Sequence, residues 1–177
     1  MKSEQLHGIR LLMRLLTGDP VDAMEAAKEI ISHEEAVAPV LLLEVAVNRK
    51  YKLWSRVAAV YSVGLLGFRR GGAALTELLA AHTESAVLRS HVAEALGNMG
   101  YSGAVEMLGD TLGSDRSKLV KKSCVYALSQ IRSPRSKVLL ERAQAENPKG
   151  EIAKDISVAL ERLGSGLSGQ GGMVPPA

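Results

Sequence analysis

The sequence predicts an all-α fold, a solenoid of about five stacked helical hairpins, from three observations. A short frame recurs at nearly constant spacing: Leu128 and Leu160 follow Leu96 at steps of 32 residues, and Val63 and Ile30 precede it at steps of 33. A fixed period in the thirties is the signature of a stacked array. Within a frame the apolar positions fall three and four apart, as in Leu88, Val92, Ala95, Leu96 and Met99, which is the stripe of a helix with one buried side. Between the frames lie shorter apolar stretches, each long enough for one more helix, so the repeating unit is a helical hairpin.

In chain order, residues 4–16 form the outer helix of an opening pair, and MEAAKEIISH (24–33) is a worn first copy of the frame. VAPVLLLEVAV (37–47) precedes VAAVYSVGLLG (57–67), and GAALTELLAA (72–81) precedes SHVAEALGNMG (90–100). AVEMLGDTL (104–112) then pairs with KSCVYALSQIR (122–132), and KVLLERAQA (137–145) with KDISVALERLG (154–164). Five pairs make ten expected helices. One hairpin alone cannot bury its stripe, so the array is stable only as a whole.

Punctuation supports these boundaries. Asp19-Pro20 reads as an N-cap followed by proline in the first helical position, and Ser133-Pro134 and Asn147-Pro148 repeat that signal. Pro39 fits the first turn of its helix, where a missing N–H costs little. Gly67, Gly100 and Gly164 close three frames and suit the left-handed residue that ends a helix. Residues 1–164 are expected to form one repeat domain, and the Gly- and Pro-rich 165–177 a flexible tail with little to bury.

Composition narrows the classes. The chain has 177 residues, 46% of them hydrophobic, and a net charge of +3 from 22 basic and 19 acidic side chains, a balance that does not demand a polyanion. No apolar run approaches a membrane span, and the start lacks the apolar segment of a secretory signal, so a soluble cytoplasmic protein is expected. The single cysteine, Cys124, takes the inward position of Val92 and Ile156 in sister frames, which makes it structural and excludes an internal disulfide.

The phrase L-R-x-x-V-A-E-A-L-G-x-M-G from Leu88 resembles the second helix of a HEAT repeat, in particular the bacterial phycobilisome-lyase HEAT-like subtype. The stretch 102–115, SGAVEMLGDTLGSD, resembles that subtype's first helix and closing turn. The resemblance covers roughly 21–164. It implies that the second helix of each pair lines a concave inner face, and it leaves function open, because the fold hosts adaptors, chromophore lyases, a metal-dependent hydroxylase and a DNA glycosylase.

With the frames in register, residues one, two, five, eight and nine after Arg89 are expected to point outward into the groove. These include Val57, Tyr61 and Leu65; Ser90, His91, Glu94 and Asn98; Lys122, Ser123, Tyr126 and Gln130; and Lys154, Asp155, Val158 and Arg162. Tyr61, His91, Glu94, Asn98, Lys122, Tyr126 and Gln130 are the candidate partner-binding residues, with Tyr61 and Tyr126 at one offset as aromatic anchors. The expected function is a non-enzymatic scaffold that binds a protein or peptide, with no cofactor. Arg56, Arg89 and Lys121 share a further offset, just after turns with polar or acidic residues such as Glu84 and Asp115, and the HEAT resemblance implies a cation there that pairs with such acidic turn residues.

Two alternatives have weaker residue support. Arg49, Lys50, Lys52 and Arg56, Arg69-Arg70, and Lys118, Lys121, Lys122, Arg132, Arg135 and Lys137 would follow a phosphate backbone if they converged on one rim, but base-stacking aromatics make up only 3% of the chain. A bilin lyase-like, chromophore-binding role would set His91, Lys122 and Tyr126 against propionates. The metal-dependent hydroxylase of this fold holds iron with several His-Glu pairs, whereas this chain has one, His33-Glu34, in an expected turn, with His7, His82 and His91 scattered, so no dinuclear metal site is expected. Trp54 is expected to pack at a junction between repeats.

Overall fold

A computed structural model describes residues 3–33 and 37–167, and among these it contains ten α-helices. They are α1 (Ser3–Thr17), α2 (Pro20–Ser32), α3 (Pro39–Val47), α4 (Leu53–Leu65), α5 (Gly72–Ala80), α6 (Ala86–Asn98), α7 (Val105–Ser114), α8 (Lys118–Ile131), α9 (Pro134–Glu146) and α10 (Ala153–Leu167). Single 3-10 turns, Arg69–Gly71 and Ser102–Ala104, lead into α5 and α7.

The helices form two layers. α2, α4, α6, α8 and α10 pack on one another in succession, and α3, α5, α7 and α9 form the second layer behind them, with α1 against α2 and α4. The frame markers Ile30, Val63, Leu96 and Leu128 are completely buried, while Leu160, with no further repeat beyond it among the described residues, is only half-buried. That gradient is what stacking requires, since each inner helix is covered by its successor.

Local chemistry explains most of the helix ends. Asp19 Oδ1 accepts from the Val21 and Asp22 amides at 2.9 Å, and Ser133 Oγ accepts from the Ser136 amide at 2.9 Å, each before a proline that starts the helix. Pro39 likewise opens α3. Gly67 and Gly100 take φ of +64° and +58° after α4 and α6, a conformation a side chain would strain.

Two expectations at helix ends are corrected. Asn147 caps the C-terminus of α9, its amide bonded to the Ala143 carbonyl, and Pro148 lies in the turn, so this pair ends a helix rather than starting one. Gly164 lies inside α10, which runs on to Leu167, and the left-handed residue of the later repeats is Arg132, at φ 53° after α8. Helix therefore continues past the expected boundary at 164; residues 168–177 of the expected tail lie outside the described residues.

The inner layer is held by unusually close approach. A Cβ on Gly64 would sit 2.7 Å from the Ala95 Cα, and one on Gly97 would sit 2.6 Å from the Ala127 Cα. Offset eight, expected to face the groove, is thus where backbones of successive inner helices touch. Val57, Ser90 and Ser123 are buried for a related reason: an inner helix has neighbours on both flanks as well as behind it.

Candidate functional site

The inner wall is narrower than the sequence register implied, and it includes a row that register missed. Offsets two, five and nine lie three and four residues apart and share a face; two residues before Arg89 is seven before offset five, two helical turns away on that same face. The missed row contributes Trp54, Val87 and Leu119. Trp54 is 40% exposed and Leu119 48%, so Trp54 is not sequestered at a junction. Leu65, Tyr126 and Val158 supply exposed apolar surface from offsets five and nine. The sequence signal was available: large apolar residues stand at the same offset of successive frames, just before the expected polar positions.

Four of the candidate residues come together. Glu94, Asn98, Lys122 and Tyr126, with Leu119 and Ser123, line one shallow depression of about 420 Å³ between α6 and α8. Its polar groups are fixed by neighbours. Ser123 donates to Glu94 Oε1 at 2.8 Å and the Tyr126 hydroxyl donates to Asn98 Oδ1 at 2.8 Å. Lys122 Nζ lies 3.1 Å from Asp155 Oδ2, and His91 Nδ1 lies 3.5 Å from Glu94 Oε2. Hydrogen bonding to His91 chiefly, and to Ser123, outweighs desolvation and holds the Glu94 carboxyl below its ordinary range. Gln130 is exposed one turn beyond Tyr126. Tyr61 is half-buried and packed against the core, so the two tyrosines at one offset are not equivalent: of the two, Tyr126 is the exposed one, at 38%.

The cation offset forms a ladder at two of its three positions. Arg56 donates to Glu84 at 2.8 and 3.1 Å and to the Ala46 carbonyl at 2.9 Å, and Arg49 reaches the same carboxylate at 2.6 Å. Arg89 grips Asp115 with both terminal nitrogens, and Asp115 Oδ1 also accepts from the Ser117 amide at 2.8 Å. Hydrogen bonding from Arg56 lowers the Glu84 pKa against desolvation. Burial pushes Asp115 up, but the hydrogen bonds of Arg89 and Ser117, with the charges of Arg89 and His82, outweigh it and leave the carboxyl below its ordinary value. Lys121 departs from the pattern: it has no carboxylate partner among the described residues and donates to the Gly113 carbonyl at 3.3 Å.

The remaining groups offer little chemistry. Cys124 is buried, and burial first, then the Asp115 charge, pushes its thiol up to about 12, where a thiolate nucleophile is unavailable. The His7 and His33 rings meet edge to face at 5.4 Å, and His82 lies 4.0 Å from Asp115 Oδ2. Glu34 lies outside the described residues, and among those described no three His, Cys, Asp or Glu side chains are grouped to hold a metal ion. Of the basic residues considered for a phosphate backbone, Arg49 and Arg56 meet Glu84, Lys118 meets Glu151, Arg135 meets Glu106 and Lys137 meets Glu141.

The model of the family described as HEAT repeats matches residues 39–129 and 72–161. The chain belongs to the HEAT-repeat family. It is 30% identical over 131 residues to deoxyhypusine hydroxylase-B of Oryza sativa subsp. japonica, a stretch that is 73% of this chain and 42% of that protein, so the chain spans under half of that relative. Among solved structures, its fold is similar to the complex of CpcE and CpcF of phycocyanin lyase from Nostoc sp. PCC7120, with TM-score 0.72 and 16% identity over 87% of this chain and 98% of that one. It is also similar to human deoxyhypusine hydroxylase in complex with glycerol, with TM-score 0.62 and 18% identity over 92% of this chain and 76% of that one. These likenesses establish the helical HEAT solenoid. No helix of the described residues is long and apolar enough to cross a membrane.

Proposed function

We propose that this HEAT array is a non-enzymatic scaffold that holds a segment of a partner protein along the inner wall of α4, α6, α8 and α10. The observation that carries the reading is that Trp54 and Leu65 of α4, Leu119 and Tyr126 of α8 and Val158 of α10 are all exposed at shared offsets of the frame, with the half-buried Val87 of α6 between them. Exposed large apolar side chains scattered singly need no explanation, but a row at repeating offsets is a contact surface. Between them Glu94, Asn98 and Lys122 supply polar groups already oriented by Ser123, Tyr126 and Asp155, so little side-chain entropy is lost on binding. The stack's rigidity serves the same end.

The ion pairs weigh against a polyanion, because Lys122 and its neighbours already face carboxylates, and the wall itself carries Glu94 and Asp155. The same pairing directs His91 and Lys122 to protein partners rather than to a chromophore's propionates.

The test is affinity capture from the native cell, comparing wild type with the double variant Leu119→Ser, Tyr126→Ala. Both side chains are well exposed, so circular dichroism and melting should stay near wild type while the captured partner is lost. Retained capture would dispose of the reading. Tyr61→Ala is a poor probe because it also opens the core.

A further inference from the structure

The third position of the cation ladder opens on a cavity of about 480 Å³ at the junction of the last two repeats, and it shares no residue with the depression on α6 and α8. In the two closed rungs an arginine just inside the inner helix meets a carboxylate from the turn before the following inner helix, Glu84 or Asp115. The corresponding acid before α10 is Glu151, directly ahead of that helix as Glu84 is ahead of its N-cap Ser85. Glu151, however, pairs outward with Lys118. Lys121 is left half-buried at the cavity's edge with only the Gly113 carbonyl.

The charges around the cavity do not cancel once their partners are followed. Asp115 is taken by Arg89, Glu146 by Arg142 and Glu151 by Lys118. Lys121 and Arg116 remain, neither with an acidic partner among the described residues. The lining also has an apolar part: Ala143 and Ile152 are half-exposed, and Leu112 and Ile156 are buried with them. Two cations without acidic partners and apolar side chains in one cavity match a small ligand with a carboxylate at one end and a hydrocarbon body at the other.

We propose that this junction is a binding site for a small aliphatic monocarboxylate, whose carboxylate takes the place beside Lys121 that Glu84 and Asp115 fill in the preceding rungs. Its hydrocarbon chain lies on Ala143 and Ile152, with Leu112 and Ile156 packed beneath them, and Arg116 closes the mouth. A carboxylate in this position completes the ladder and ties the last hairpin to the one before it.

The test is titration of the full chain, labelled with nitrogen-15, with hexanoate, and separately with hexanamide, which keeps the body and removes the charge. Hexanoate should shift the amides of Gly113, Gly150, Ile152 and Ile156 saturably, and hexanamide should bind at least about tenfold more weakly, the scale of one lost charge-assisted hydrogen bond. Lys121→Gln should weaken hexanoate by a similar factor with the amide spectrum elsewhere superposing on wild type, and Lys121→Arg should restore it. No saturable shift with hexanoate, an equal response to hexanamide, or unchanged affinity in Lys121→Gln would each overturn the proposal.

Discussion

The joint between α6 and α8 and the joint between α8 and α10 are built from the same frame, yet one is closed and the other open. At the first, Gly97 lets the backbones touch at Ala127, and Arg89 and Asp115 lock the turn edge. At the second, Ser129 stands at the glycine's offset, Lys121 replaces the arginine, and the acid of the next turn faces away. Helical periodicity decides that hairpins stack. Two positions per repeat, the small residue at offset eight and the cation before the frame, decide how tightly.

Several substitutions sharpen that contrast. The largest effect is expected from Arg89→Ala, which leaves Asp115 buried and unpaired and should cost about 3–5 kcal/mol in urea unfolding. A loss below about 1 kcal/mol would show that the rung does not hold the joint. Gly97→Ala comes next. Alanine gains up to about 1 kcal/mol in helix propensity, so a net loss of about 1 kcal/mol or more after that gain reports the contact with Ala127.

Acid should act on the closed joints. Glu84 and Asp115 have folded pKa values below their unfolded ones. Their contribution is therefore complete above the unfolded value of about 4 and is lost as pH falls through the lower folded value. Urea midpoints of wild type should drop in that window, and Asp115→Asn should start lower and drop less. Equal slopes would remove Asp115 from the account. The smallest effect belongs to the open joint: Lys121→Ala should change stability by no more than about 0.5 kcal/mol, and a cost like that of Arg89→Ala would erase the distinction between the joints.

The stack and its hairpins were legible in the sequence because burial enforces a three-and-four spacing in every repeat, and proline and glycine marked most ends. The misread ends share a physical cause. Asparagine before proline suits a helix C-terminus and the turn after it as well as a start, and a glycine within a helix stops it only where the chain actually turns, which for α10 is not at Gly164.

The candidate site was legible in part. Glu94, Asn98 and Tyr126 share a depression because offsets five and nine do face outward, and Lys122 of offset one joins them where α8 is less covered. Offset eight on α4 and α6, and offset one on the same two helices, did not, because a single helix's periodicity gives the covered side but not how far neighbours wrap around it; Val57, Ser90 and Gly97 are buried by that wrapping. Leu119 and Trp54 were missed by starting the frame after the cation. The ladder at Arg56 and Arg89 followed from the HEAT resemblance together with the shared offset, but neither reveals that Glu151 turns toward Lys118.

Site-specific photo-crosslinking most directly tests the inner wall as the contact face. A benzophenone side chain at Gln130, on the inner face of α8, is compared with one at Val138, exposed on the outer helix α9. The account predicts a covalent partner adduct from position 130 and none from position 138; adducts from 138 alone, or equally from both, would contradict it.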